Sequence, residues 1–306
     1  MTKIAITLGP LLFHWSPERW SDFYARIADE APVDRVCIGE VVCSKRLPFY
    51  IDRLPLAVER LRRAGKEVVL SSLALVTLKR ERRSCAKLGA GGEFDVEIND
   101  LSMLPHLDKG RAFTVGPLIN VYNGGTLDFL ARRGARSVCL PPELPLPAVE
   151  RLAREGRRLG VATEVWAFGR LPLAISGRCY HARVHGHAKD SCQFVCDRDE
   201  DGLLVETLDG QNFLAINGVQ TLSSTYCSLL PDLAVLKKAG VSSLRLSPHS
   251  CDMVAVARTF RRALDGAMAP AEAQRALDDL VPQACFSNGF LNGPFGAAFT
   301  SLDGGR

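Results

Sequence analysis

A chain of 306 residues is long for an average domain and ordinary for one α/β barrel, which needs roughly 250 residues plus insertions. Its 47% hydrophobic and 24% charged residues are those of a globular protein with a large core. The net charge is only +4, so charge offers no footing for a nucleic-acid groove. No apolar stretch approaches the roughly 20 residues that span a bilayer.

In chain order, residues 1–10 carry one Lys and a short apolar run that alternates like a strand, without the apolar core and cleavage site of a signal peptide. The expectation is a cytoplasmic protein with no transmembrane segment. Strand patterns follow at 4–8, 35–39, 67–71, 94–98, 113–115, 137–140, 163–167 and 243–246. Helical patterns lie between the earlier ones, at 17–28, 52–64, 126–133 and 147–159. The first opens with Ser16 as N-cap, Pro17 at the first helical position and Glu18 in the first turn. Arg80, Arg82 and Arg83 around Glu81 read as a solvated helix surface. Gly89, Gly91 and Gly92 precede a strand and read as a connection. Gly65, Gly134, Gly160 and Gly240 each end a helical run ahead of a strand, as capping glycines do.

Eight strands with helical crossovers predict a (β/α)₈ TIM-like barrel over one domain, residues 1–306, with an open doubly wound sheet as the alternative. From about 171 to 228 the rhythm stops. This Cys-rich insertion follows the seventh strand and includes a hairpin pattern at 203–207 and 212–216 around Asp209-Gly210. Long insertions in compact domains are usually functional, and this one falls on the C-terminal face of the barrel.

Ten cysteines in a reducing compartment point to metal or redox chemistry sooner than to disulfides. Cys37 and Cys139 lie in apolar runs and read as core residues, and Cys85 has no recognisable partner. The insertion holds Cys179, then His181, His185 and His187, then Cys192 and Cys196. Three thiolates at this spacing can converge on one metal, and Cys43, just past the second strand, falls on the same face. Spacing alone leaves an iron–sulfur cluster, a Cys₃His zinc site and a set of free thiols open. No CxxxCxxC run occurs, which excludes a radical-SAM site. The three His residues read as solvated insertion residues.

The residues Glu164-Val165-Trp166, Gly169 and Ile175-Ser176-Gly177-Arg178-Cys179 resemble the signature of a collagenase-like peptidase family. Where many members have a further Cys, this chain has Pro172. Gly39-Glu40-Val41-Val42-Cys43-Ser44-Lys45-Arg46 is similar to the motif of the branch that serves O₂-independent ubiquinone biosynthesis. Further matches fall at 70–75, 120–123, 171–174, 217–221, 241–248 and 288–289.

The resemblance implies a 4Fe–4S cluster held by Cys43, Cys179, Cys192 and Cys196, with Cys227 near the place where other branches keep their last ligand. It also implies a heterodimer with a homologous UbiU-type subunit that hydroxylates the aromatic ring of ubiquinone precursors, with prephenate as oxygen source. A sterol-carrier-like lipid-binding protein would present the prenylated aromatic substrate.

No HExxH, no GxSxG and no His beside a candidate nucleophile occurs, so the sequence carries no standard hydrolase equipment. Candidate pocket residues at strand ends are Glu40, Asn99, Asp100, Asn120, Tyr122, Asn123, Arg245 and Ser247, of which Glu40, Asn120, Tyr122 and Arg245 are the catalytic candidates. Each has a plainer reading as a cap or backbone partner, Asn99-Asp100 above all. Glu40 is suited to ordering Cys43 from behind. A non-catalytic scaffold or substrate-binding subunit with a structural cluster or zinc is the alternative function. An RNA-base hydroxylase is a third, and it requires a basic channel that the modest charge does not supply.

Overall fold

Short Val-, Ile- and Leu-rich runs become strands, and runs with apolar residues every three or four positions become helices. The computed structural model describes residues 3–300; the outermost residues of the predicted domain, 1–2 and 301–306, lie outside that range. The chain begins β1 (Ala5–Leu8), α1 (Pro17–Glu30), β2 (Arg35–Ile38), α2 (Leu54–Arg63), β3 (Glu67–Ser71), α3 (Lys79–Ala90) and β4 (Asp95–Ile98). It continues β5 (Phe113–Val115), α4 (Gly124–Ala131), β6 (Ala135–Cys139), α5 (Leu146–Leu159) and β7 (Ala162–Ile175). Next come α6 (Tyr180–Val184), β8 (Leu203–Glu206), β9 (Asn212–Asn217), β10 (Gln220–Ser228), α7 (Leu233–Ala239) and β11 (Ser243–Leu246). The chain ends α8 (Met253–Leu264), α9 (Pro270–Leu280), β12 (Phe286–Ser287) and α10 (Gly289–Asn292).

Strands β1 to β7 pair in sequence order, and β11 joins β7 to β1 in parallel, with Glu164 opposite Ser243 and Ala5 opposite Ser243. The result is a closed eight-stranded (β/α)₈ barrel ringed by helices, as the eight strand patterns predict. Helix α1 starts as expected, with the Ser16 hydroxyl accepting from the Arg19 N–H at 3.3 Å, and buries Trp20, Tyr24, Ile27 and Ala28 along one stripe. Helix α5 buries Val149, Leu152, Ala153 and Gly156 and ends on Gly160 at φ 71°. Each fully buried Leu or Val stabilises the fold by roughly 1.5–3 kcal/mol. No helix among the described residues is long and apolar enough to cross a membrane.

The barrel interior also holds a polar cluster. Arg245, about 1% exposed, donates from Nε to Glu164 at 2.6 Å and from Nη2 to Glu97. Ser71 and Asn99 donate to Glu97 at 3.0 and 3.3 Å, and Ser243 donates to Glu164 at 3.0 Å. Against burial, which would raise it, Arg245 holds the Glu164 carboxyl below its ordinary value.

The seventh strand departs from its predicted extent of 163–167 and runs on to Ile175. Up to Phe168 it belongs to the barrel; beyond Gly169 it pairs antiparallel with β10, Arg170 opposite Tyr226 and Ile175 opposite Gln220. Gly169, at φ 104°, makes the turn out of the barrel where a Cβ would meet His249 Nε2 at 2.7 Å. Strands β8 and β9 form the hairpin around Asp209-Gly210, and β10 adds a third strand that the Ser/Thr-rich run 220–228 does not announce. Gly89 belongs to the last turn of α3 and lies against the His106 carbonyl, so it is a close helix contact as well as part of a connection.

Candidate metal centre

Two loops at the C-terminal ends of β2 and β7 meet around one small cavity of about 20 Å³. Its lining includes Cys43, Cys179, Cys192 and Cys196, together with Lys45, Arg46 and Lys189. All four nominated thiols therefore share a wall, although Cys43 is far from the others in sequence.

The segments that carry the thiols are held by local hydrogen bonds and packing. The Glu40 carboxylate accepts from the N–H groups of Val42 and Cys43 at 2.8 and 2.7 Å, and Tyr50 donates its hydroxyl to the other oxygen. Tyr50 in turn stacks on Trp20 at 5.1 Å between centroids. Cys179 caps α6, its Sγ accepting from the Ala182 N–H at 3.4 Å and lying 3.2 Å from the Gly218 carbonyl. Between Cys192 and Cys196 the chain takes two consecutive left-handed residues, Gln193 at φ 49° and Phe194 at φ 56°. Such residues cost about 1–2 kcal/mol each and persist where the surroundings enforce them. Phe194 is pinned edge-on to Phe49, with centroids 4.7 Å apart. The Asn217 amide donates to the carbonyls of Cys196 and Asp199 at 3.0 and 2.9 Å, fixing the segment behind Cys196.

Arg46 runs into the centre of this region at about 1% exposure. Its Nη1 donates to the Leu12 carbonyl at 3.0 Å and its Nη2 to Asn217 Oδ1 at 2.6 Å, while Nε has no partner among the described residues. At Gly218, φ 64°, a Cβ would come within 2.6 Å of Arg46 Nη2, so the β9–β10 turn needs glycine to admit the guanidinium. Burial pushes the thiols of Cys43, Cys179 and Cys196 up from their ordinary value, and Arg46 pulls each back down.

Among the described residues, one set of three or more His, Cys, Asp or Glu has donor atoms all within 4.8 Å of one another: His181, His185 and Asp199. No three of the cavity thiols are that close. Four thiolates on a single tetrahedral zinc, at Zn–S of about 2.3 Å, stand about 3.8 Å apart. A single closed zinc would therefore need the thiols to draw together.

The family model described as peptidase family U32 matches residues 17–298. The chain belongs to this family. Solved structures add only distant likenesses. A tryptophan synthase complex from Pyrococcus furiosus aligns at 13% identity over 92% of this chain and 100% of that chain, with a TM-score of 0.40. Orotidine 5′-monophosphate decarboxylase from Methanocaldococcus jannaschii aligns at 11% identity over 54% of this chain and 81% of that one, TM-score 0.34. An enolase from Agrobacterium radiobacter aligns at 12% over 54% of this chain and 45% of that one, TM-score 0.36. Likeness at this level says nothing about the chemistry of the U32 protein.

The remaining candidate residues of this U32 chain do not gather in one pocket. Arg245, Asn99 and Ser247 line a cavity at the barrel mouth, closed over by Leu12, Trp166 and Pro172. Asn120 and Tyr122 are exposed on the loop after β5, where the Tyr122 hydroxyl donates to Glu143. Asp100 and Asn123 are caps, accepting from the N–H groups of Ser102 and Thr126 at 2.7 and 2.9 Å. Cys227 lies on β10, 3.7 Å from the Trp166 carbonyl, and lines a different cavity.

His181 overturns its expected solvated placement. It is 0% exposed, because the turn that caps α6 with Cys179 rotates residue 181 inward. His185 and His187 are half-buried. Two further features escaped the sequence: the buried Arg46, and the pair His249 and Asp201, 3.3 Å apart, which ties the insertion to the loop after β11. A larger cavity, about 490 Å³ and open to solvent, lies between the start of α2 and α3. Leu47, Ile51, Leu54, Leu70 and Leu73 make it largely apolar, and it reaches Glu40 and Ser44 beside Cys43.

Proposed function

We propose that this U32 chain is the UbiV-type iron–sulfur subunit of an O₂-independent hydroxylase acting on the ring of ubiquinone precursors, paired with a UbiU-type subunit. The observation that carries this reading is the shared cavity of Cys43, Cys179, Cys192 and Cys196 around a fully buried Arg46, whose charge acts on those thiols and on Glu40 without forming an ion pair among the described residues. A buried guanidinium needs nearby negative charge, and four metal-bound thiolates supply it.

The residues assign themselves to tasks. The four thiols would hold a 4Fe–4S cluster, with Arg46, Lys45 and Lys189 offsetting its charge. Glu40 orders the Cys43 backbone from behind. When bound, such a cluster supplies one-electron redox chemistry. The apolar cavity beside Ser44 suits a prenylated aromatic ring brought by a sterol-carrier-like protein, with prephenate as oxygen source.

The test is reconstitution without O₂ of this chain with its UbiU-type partner, prephenate and a prenylated phenol. Ring hydroxylation that needs both chains and stops with Cys192→Ala supports the reading; hydroxylation by the partner alone contradicts it. The thiols also bridge the β2–α2 loop to the insertion, which favours a second reading, a structural cluster in a scaffold subunit. Cys43→Ala separates the two: a folded, inactive heterodimer means redox work, and a chain that neither folds nor dimerises means a staple.

A further inference from the structure

The insertion brings together a second set of donors that the thiol cavity does not use. His181, in α6, and His185, the residue that caps its C-terminal end, stand four residues apart, the His-x₃-His spacing that puts two imidazoles on one face. Their rings stack with centroids 5.4 Å apart at 26°. Asp199 reaches the same point from the segment after Cys196, its Oδ2 2.9 Å from His181 Nε2. The three donor atoms lie within 4.8 Å of one another.

The hydrogen bonding leaves this point lacking a positive centre. His181 Nδ1 faces the Ile216 carbonyl at 3.3 Å and is the nitrogen placed to donate there. In that tautomer Nε2 turns a lone pair toward a carboxylate oxygen at 2.9 Å, and such a pair of acceptors needs a shared proton or metal ion. Nε2 of His181 and Nε2 of His185 are both buried without a hydrogen-bond partner among the described residues. His181 is 0% exposed, so no solvent relieves it. A bridging proton satisfies one imidazole; the convergence of the second calls for a metal ion. Donors at about 2.1 Å from one tetrahedral ion lie about 3.4 Å apart, so His181 and Asp199, at 2.9 Å, need open by only about half an ångström to hold one.

We propose that His181, His185 and Asp199 form a cysteine-free site for one divalent first-row transition ion, zinc in the first instance, separate from the thiol cavity. Two imidazoles and a carboxylate are a donor set suited to such ions. The Nδ1 contact with Ile216 orients His181, and the Asn217 amide on the Asp199 carbonyl holds the third donor's backbone.

The test uses the full chain purified without oxygen, its iron and sulfide measured, then titrated with zinc sulfate and desalted. The expected result is one zinc per chain beyond the iron. Zinc-edge X-ray absorption should show only nitrogen and oxygen neighbours, at about 2.0–2.1 Å, and no sulfur at about 2.3 Å. His185→Ala and Asp199→Asn should each lose that zinc with iron, sulfide and circular dichroism unchanged, whereas Cys192→Ala should lose iron and keep zinc. Wild-type protein that retains no zinc, variants that retain it, or sulfur in the zinc spectrum would overturn the site. The spectrum needs no variant, so a misfolded substitution does not block the answer. Iron content judges the cluster separately.

Discussion

Arg245 and Arg46 are each about 1% exposed, yet their surroundings differ in kind. Inside the barrel, Arg245 meets two carboxylates, Glu97 and Glu164, and its cluster is neutralised by groups already in the fold. At the barrel rim, Arg46 meets a carbonyl, a carboxamide and a ring of thiols. The first arrangement is complete as folded. In the second, Arg46 makes no ion pair among the described residues; Glu40 and the thiols act on it from around the cavity, and thiols can take up further negative charge when ionised.

The largest effect separating the two belongs to Arg245→Leu, which strands two buried carboxylates. Urea unfolding should show a loss of about 3–5 kcal/mol. A loss below about 1 kcal/mol would erase the contrast.

His14 comes next on the rim side. Burial, then Arg46, lowers it from 6.5 to about 4. Between those values the unfolded chain binds a proton that folded His14 refuses, so stability falls as pH drops through the window and is unaffected above it. The total is about 3 kcal/mol, and His14→Phe should flatten the slope between pH 6.5 and 4 by up to about 1.4 kcal/mol per pH unit. Equal slopes in both proteins would contradict the assignment.

Glu40→Ala removes the acceptor for the Cys43 N–H and should weaken iron retention against a chelator by about 10–100-fold. Unchanged retention would show that the loop orders itself without Glu40. Smallest in the metal-free protein is Arg46→Met, at about 1–2 kcal/mol, since removing a buried charge that makes no ion pair partly offsets the two lost hydrogen bonds. If it destabilises metal-free protein as strongly as Arg245→Leu does, Arg46 is a structural ion and the contrast fails.

The eight barrel strands were legible because each is a compact apolar run closed by a glycine or a helical pattern. The long arm of β7 was not, since Gly169 and Pro172 look like terminators until β10 is seen pairing beyond them. β10 itself carries Ser223, Ser224 and Thr225 where a strand signal needs alternation. At the site, the cysteine spacing nominated thiols that do share a cavity, and Glu40 was read for the backbone role it plays. Arg46 went unassigned because an arginine after a lysine reads as solvated, and only tertiary packing against Gly218 buries it. His181 was misplaced for the same reason: the signal was its spacing to His185, and burial is decided by the cap at Cys179.

The most direct test of the central claim is iron, sulfide and zinc content, with a visible spectrum, of this chain purified without oxygen. About four irons and four sulfides per chain, in brown protein that loses its colour with Cys192→Ala, are the expected result. Colourless protein with zinc bound by the thiols and no iron would contradict the account.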